Sequence, residues 1–276
     1  MVRPPVSALD TPFLAAALET AQRAADAAEA VIAPRYQAQD FDIITKADAT
    51  PVTVADREAE AAVKRVLREA WPGHAFLGEE EGREGDSDFL WLIDPIDGTR
   101  AFVRGYPFFS TQIALMHRGE LVLGVSSAGL FGERAWAVAG GGACLRGRDG
   151  IVRPLQVSDA RALGPDTAIS TGNLRSLAAS RDGWAALAAL VRQTGRIRGY
   201  GDFLHYHLLA RGAVDLVIES DLNILDIAAL VVIVREAGGV FTDLAGAAIG
   251  LGTRSALAGP APLHAWALQQ GLRIPD

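Results

Sequence analysis

The stretch Trp91-Leu92-Ile93-Asp94-Pro95-Ile96-Asp97-Gly98-Thr99-Arg100-Ala101-Phe102 carries the residues best suited to chemistry. An apolar run stops at Asp94, a second carboxylate follows at Asp97, and Gly98-Thr99 opens a segment that could begin a short helix. Pro95 fixes its own φ and biases Asp94 away from helix, so both acids fall on a stiff turn where their oxygens can converge. Converging carboxylate oxygens suit a hard divalent cation. The first N–H groups of a helix starting at Gly98-Thr99 would be free to meet an anion, so metal and phosphate can meet at one elbow. Asp56, Glu79 and Asp226 also stand at element ends. Taken singly, each acid has a plainer explanation: Asp56 as a first-turn acid, Asp226 as an N-cap, Glu79 as a solvated loop residue, Asp94 and Asp97 as turn formers. Their joint occurrence beside a phosphate seat favours a shared site.

The elements that must position these residues follow from periodicity and punctuation. Thr11-Pro12 starts an Ala-rich helix that Pro34 is expected to end. Asp40 to Pro51 is turn-rich, and Thr53-Val54-Ala55-Asp56 resembles a capping box with Asp in the place usually held by Glu or Gln. The helix it opens runs to about Glu69, with Ala59, Ala62, Val63, Val66 and Leu67 as its apolar face, until Trp71-Pro72-Gly73. Ala75 to Leu77 is a short strand running into Gly78-Glu79-Glu80-Glu81. Phe109–Met116 and Leu121–Ser126 form a hairpin across 117–120, and Arg134 to Ala139 adds a strand. Arg146 to Pro165 is the expected boundary between an N-terminal metal-binding lobe, 1–150, and a C-terminal α/β lobe, 151–276, that completes the site within one family domain. In the second half strand and helix alternate: strand Thr167–Ser170, a helix near 176–193, a helix Asp202–Arg211, strand Ala213–Ile218, helix Ile227–Ala237 opened by Asp226, and strand Val240–Thr242.

Composition narrows the function. Half of the residues are hydrophobic and 21% are charged, as in an ordinary globular protein. The balance of 26 basic and 33 acidic residues, −7 overall, has no basic run that could neutralise a nucleic-acid backbone. The longest apolar run, Ile227 to Val234, is too short to span a bilayer. The lone Cys144 and the acidic N-terminal segment fit a cytoplasmic protein without a signal peptide.

Gly78-Glu79-Glu80, Asp94-Pro95-Ile96-Asp97-Gly98-Thr99 and Asp226-Ile227-Ala228-Ala229, in this order and spacing, resemble the inositol monophosphatase family. The match runs from about Lys46 to Asp243, with Thr53 to Asp56 before these motifs and Glu236-Ala237-Gly238-Gly239 after them. The resemblance implies an α/β fold of alternating helix and sheet layers (αβαβα), a homodimer, lithium sensitivity and Mg²⁺-dependent hydrolysis of small-molecule phosphate monoesters. It further implies that Glu79, Asp94, Asp97, Asp226 and the carbonyl of Ile96 bind Mg²⁺, two or three ions per site, and that Asp56 assists through water. Glu79, Asp56 and Thr99 would be catalytic, and Gly98 and Thr99 would seat the phosphate.

For the substrate, Tyr200-Gly201-Asp202-Phe203 and Glu219 matter most. Inositol phosphatases usually carry Ser or Ala where this chain has Asp202, and the Gly-Asp pair resembles the histidinol-phosphatase branch, as does the string from Leu208 to Val217. An acid facing the pocket can pair with the ammonium of an amino alcohol, whereas inositol offers hydroxyls; alternatively Asp202 simply caps its own helix. Glu219 would contact the substrate body in either branch. His205 and His207, two residues apart on a helix, face different ways and cannot chelate one metal. Arg196 and Arg198 lie near the same region, as solvated loop residues or phosphate contacts. The family commonly has Trp before the third-motif acid, where this chain has Leu225, which puts pocket shape in question; relatives of histidinol phosphatase often place Pro ahead of that Trp, where this chain has Ile224. The expected activity is hydrolysis of histidinol phosphate in histidine biosynthesis. The alternatives are an inositol-1-monophosphatase or promiscuous sugar phosphatase and, more remotely, a catalytically silent metal- or phosphate-binding regulator.

Overall fold

The computed structural model describes residues 9–39, 43–45 and 51–275. The first half contains α1 (Thr11–Ala38), β1 (Ile43–Thr45), β2 (Pro51–Thr53), α2 (Val54–Ala70), β3 (Ala75–Gly78), β4 (Gly82–Glu84), β5 (Phe89–Asp97) and α3 (Thr99–Val103). Next come β6 (Ser110–His117), β7 (Glu120–Ala128), β8 (Glu133–Val138), β9 (Ala143–Arg146), β10 (Val152–Pro154) and β11 (Ala168–Thr171). The remainder holds α4 (Arg175–Ala179), α5 (Arg181–Gln193), β12 (Arg196–Arg198), α6 (Asp202–Ala210), β13 (Leu216–Ser220), α7 (Ile224–Glu236), β14 (Gly239–Thr242), β15 (Ser255–Pro260) and α8 (Ala261–Leu268).

Among the described residues the strands form a β1-β2 pair, a large sheet ordered β10-β9-β8-β7-β6-β5-β3-β4 and a smaller one ordered β12-β11-β13-β15-β14. In the large sheet β3 and β5 run parallel and the other neighbours antiparallel. Alternation along β5 sends Trp91 and Ile93 toward α1 and α2, and Leu90 and Leu92 toward α7. The second core also takes Val217, Ala256 and Ala258 from the small sheet, so α6 and α7 lie between the sheets. On the far side Ile169, Leu216, Ile218 and Leu257 pack on α4, α5 and α8. The molecule is therefore layered αβαβα, as expected. Position explains α7: with a sheet on each side, Ile224 to Val234 is buried nearly all round except at Asp226.

Several boundaries differ from expectation. Pro34 does not end α1, which continues to Ala38 and closes at Gln39 in the left-handed region. Pro34 faces solvent, where a lost helix hydrogen bond is replaced by water, and Tyr36 anchors the last turn against Phe102 and Phe109. The helix expected near 176–193 is two helices broken at Ser180, whose side chain accepts from Gly183 N–H and caps α5. The strand expected from Ala213 begins only at Leu216 and extends to Ser220, which places Glu219 on a strand. Asp226 does not open α7; Asn223 caps it and Asp226 sits at its third position. Elements β1, β2, β4, β9, β10, β12, β15 and α8 were not anticipated, and β12 places Arg196 and Arg198 on a strand rather than a loop. The turn-rich stretch 40–50, and with it Lys46, lies outside the described residues apart from β1. No described helix is long and apolar enough to cross a membrane.

Candidate active site

Strand β5 delivers the elbow through a bulge. Opposite β6, Asp94 pairs with Gln112 and Asp97 with Ser110, so three steps on one strand face two on the other. Such an irregularity re-aims side chains. The turn is pinned: Asp94 Oδ1 accepts the N–H of Ile96 at 3.0 Å, and Thr111 donates to Pro95 O at 2.8 Å. Gly98 follows at φ 91°, and a Cβ there would come within 2.7 Å of Phe108 O, so only glycine fits. Thr99 Oγ1 lies 3.0 Å from Ile96 O and 3.4 Å from Asp56 Oδ1. Asp56, fully buried, also accepts from the N–H and hydroxyl of Thr53, at 2.7 and 2.6 Å.

Glu79 leaves the end of β3, where its N–H donates to Ile93 O at 3.2 Å and sets it beside Asp94. Asp226 arrives on the first turn of α7, accepting from the backbone N–H and side-chain amide of Asn223 at 2.8 and 2.7 Å. Oxygens of Asp94, Asp97 and Asp226 all lie within 4.8 Å of one another. They line a cavity of about 120 Å³ with Glu79, Ile96, Gly98, Thr99, Asp202 and Glu219. It adjoins a wider cleft reached by Arg100, Arg104 and Arg175.

These acids are short of positive charge. Burial, then the charges of Glu79, Asp97 and Asp226, pushes Asp94 well above the usual carboxylate range. Asp97 is raised by burial and by Asp202 and Asp226. Asp226 rises to about 7 through burial, against the opposing pull of Asn223, with Glu79 and Glu219 adding to the rise. Asp202 rises to about 6 through burial and the nearby Glu219. Proton retention by crowded carboxylates is the expected result of desolvation and like-charge repulsion, and a cation placed among them removes it.

The structure thus brings nine of the ten sequence-predicted site residues to one cavity wall: Glu79, Asp94, Ile96, Asp97, Gly98, Thr99, Asp202, Glu219 and Asp226. Asp56 stands one layer behind, reaching the cavity through Thr99. Asp202 is not an N-cap: Gly201 holds that position, and Asp202 takes φ 46° at the start of α6 with its side chain at the cavity. His205 and His207 are buried and point to different partners, as expected from their spacing. Nε2 of His205 lies 3.2 Å from Glu219 Oε2 without hydrogen-bonding geometry, while His207 meets Ser126 and Glu133. Arg196 and Arg198 contact Tyr200 and a backbone carbonyl outside the cavity.

Sequence reasoning missed Tyr206, whose hydroxyl donates to Glu219 at 3.0 Å, and Asn173, whose N–H donates to the same carboxylate at 3.2 Å. No local pattern marks them, because their partner lies on another element. Asn223 was missed as well, although Asn-x-x-Asp is a capping-box spacing that could have marked it.

A profile of the inositol monophosphatase family matches residues 14–273. A histidinol-phosphatase from Mycobacterium tuberculosis is 42% identical over 81% of this chain and 86% of its own length. One from Streptomyces coelicolor is 39% identical over 83% and 87%. In three dimensions the chain resembles the crystal structure of extragenic suppressor protein suhB from Bartonella henselae, with a TM-score of 0.80 and 30% identity, covering 92% of this chain and 98% of that one.

Proposed function

This chain belongs to the inositol monophosphatase family and is a phosphoric monoester hydrolase, and from that premise we propose that its substrate is histidinol phosphate, hydrolysed with Mg²⁺ to histidinol and phosphate. The observation that carries the substrate choice is Asp202. A carboxylate held at the cavity wall with a positive φ, making no helix cap, is suited to pairing with an ammonium. Histidinol phosphate carries an ammonium and inositol phosphate does not.

The donor set fits a hard cation: three carboxylate oxygens within 4.8 Å of one another, two of them from nearly fully buried side chains, crowded enough to retain protons. Glu79, Asp94, Asp97, Asp226 and the Ile96 carbonyl would hold two or three Mg²⁺. When bound, such ions supply charge that polarises the phosphoryl group and acidifies water. The protein's own groups do the positioning. Donation by the Thr99 hydroxyl to Ile96 O or Asp56 leaves its lone pairs to accept a hydrogen bond from a water in the cavity. Glu79 lies on the same wall, ready to take up a proton from that water. The free N–H groups of the α3 first turn, at Gly98-Thr99, face phosphate oxygens. Glu219, fixed by Tyr206 and Asn173, lines the same cavity and contacts the alcohol portion. Water attacks phosphorus directly, and no side chain need become phosphorylated.

Two observations favour a second reading, an inositol-1-monophosphatase or promiscuous sugar phosphatase: Glu219 suits a hydroxyl as well as an amine, and Leu225 stands where the family commonly has a bulkier aromatic before Asp226. Phosphate release from L-histidinol phosphate and inositol-1-phosphate, compared side by side in Mg²⁺, separates the two. A higher kcat/KM for histidinol phosphate is expected; preference for the inositol ester overturns the assignment.

A further inference from the structure

Behind Glu79 lies a carboxylate that the catalytic account does not use. Glu60, on α2, is fully buried. Its Oε2 accepts the N–H of Glu80 at 2.8 Å and its Oε1 the N–H of Glu81 at 3.1 Å. The carboxylate is held in turn by Lys64, one helical turn on, whose Nζ is 2.8 Å from Oε1. Lys64 is buried as well and reaches Glu81 at 2.9 Å and Glu84 at 2.6 Å. The segment that follows β3 is therefore clasped from two sides: α2 holds Glu80 and Glu81, and β5 holds Glu79 through Ile93 O.

The same contact explains Gly78. Its backbone is not in the left-handed region, so ordinary residues could adopt its conformation. What excludes them is Glu60: a Cβ on residue 78 would lie 1.9 Å from Glu60 Oε1 and 2.3 Å from its Cδ. The far end of a glutamate normally moves aside at little cost. Here it is buried, bound to two backbone N–H groups and fixed by an ammonium, so it cannot. Gly78 is the notch that lets Glu60 reach the loop.

We propose that Glu60 is a positioning residue, reaching through the notch at Gly78 to hold the Gly78–Glu81 segment so that Glu79 presents its carboxylate to the metal cavity. This rests on the reading of Glu79 as a metal ligand. Partners that orient ligands typically contribute about tenfold to a hundredfold in metal affinity, and a backbone clasp one residue from the ligand acts in that range.

The test measures Tb³⁺ affinity by luminescence, Mg²⁺ half-saturation of phosphate release, and kcat at saturating Mg²⁺. Four variants are compared with the wild type: Glu60→Gln, Gly78→Ala, the double variant Gly78→Ala with Glu60→Asp, and Glu79→Gln. Glu58→Gln, at an exposed ion pair on the same helix, is the control. Glu60→Gln turns one acceptor into a donor facing a backbone N–H, and Gly78→Ala pushes the carboxylate out of its notch. Each is expected to weaken Tb³⁺ and Mg²⁺ binding by about tenfold or more, with kcat at saturating Mg²⁺ within about threefold of wild type. Shortening residue 60 to Asp makes room for the new methyl, so the double variant recovers part of the Gly78→Ala loss. Unchanged ion affinity in both single variants, or additive losses in the double, overturns the role of Glu60. Unchanged affinity in Glu79→Gln instead removes Glu79 from the ligand set, and the proposal with it.

Discussion

Two clusters of acids, one around Lys64 and one around Asp94, have opposite electrostatic fates. In one, Glu60 with Glu81 and Glu84 surrounds Lys64, and Arg68 joins at 2.7 Å from Glu84. Burial alone would lower the Lys64 pKa, but the three carboxylates hold it above the ordinary value. Lys64 in turn holds Glu84 below the usual carboxylate range, despite its partial burial. In the other, Asp94, Asp97 and Asp226 converge with Glu79 nearby, and all three aspartates are raised. The contrast teaches how to tell a structural acid cluster from one built for a guest. Where the chain supplies its own cation the cluster is closed; where it leaves buried carboxylates to repel one another in a cavity, the missing charge must come from outside.

Breaking the open cluster should produce the largest effect. Asp94→Asn removes an oxygen donor at its centre, and Mg²⁺-dependent phosphate release is expected to fall by more than about a thousandfold, beyond the loss of one oriented donor in other active sites. Circular dichroism should show the chain still folded, since the substitution relieves repulsion. Substantial residual activity would remove Asp94 from the ligand set. The closed cluster should respond in the opposite sense. Lys64→Met leaves Glu60 buried without its ammonium, which costs about 3 kcal/mol or more in denaturant unfolding. A change of under about 1 kcal/mol, the range of exposed ion pairs, would mean that Lys64 is not what stabilises the buried Glu60. A smaller and more selective effect is expected at the edge of the open cluster: Asp202→Ala should lower kcat/KM for histidinol phosphate by about tenfold to a hundredfold, the loss of one charge-assisted hydrogen bond. Inositol-1-phosphate should be affected far less, and equal losses on both would make Asp202 a structural residue.

How much of this contrast was legible before the structure depends on sequence range. The open cluster announces itself because Asp94, Ile96, Asp97, Gly98 and Thr99 are contiguous, and a β-bulge converts that local motif directly into a cavity wall. The layered fold was legible through the family resemblance, with which a β-rich first half followed by alternating strand and helix agrees. The closed cluster was invisible: Glu60 and Lys64 sit beside the apolar stripe of α2 and look like solvated helix positions, while their partners are some twenty residues away. Pro34 misled because a proline facing water can remain inside a helix held by its neighbours. Ser180 hid a break because a serine inside an apolar-periodic stretch and one acting as a cap are identical in sequence. For Asp202 the backbone angle decided between cap and cavity acid, and φ cannot be read from residue type.

The central claim is that the carboxylates around Asp94 hold protons only for want of a cation, and calorimetric titration of Mg²⁺ into the metal-free protein addresses it directly. With Asp226 near 7 and Asp202 near 6, protons occupy these sites at pH 5.5 and have largely left by pH 8. Binding should therefore be weaker at pH 5.5 and accompanied there by proton release, seen as a heat that depends on the buffer's ionisation enthalpy. At pH 8 affinity should rise and the share of the proton release that comes from Asp202 and Asp226 should fade. Equal affinity at both pH values with no proton release, or no binding at either, would contradict the account.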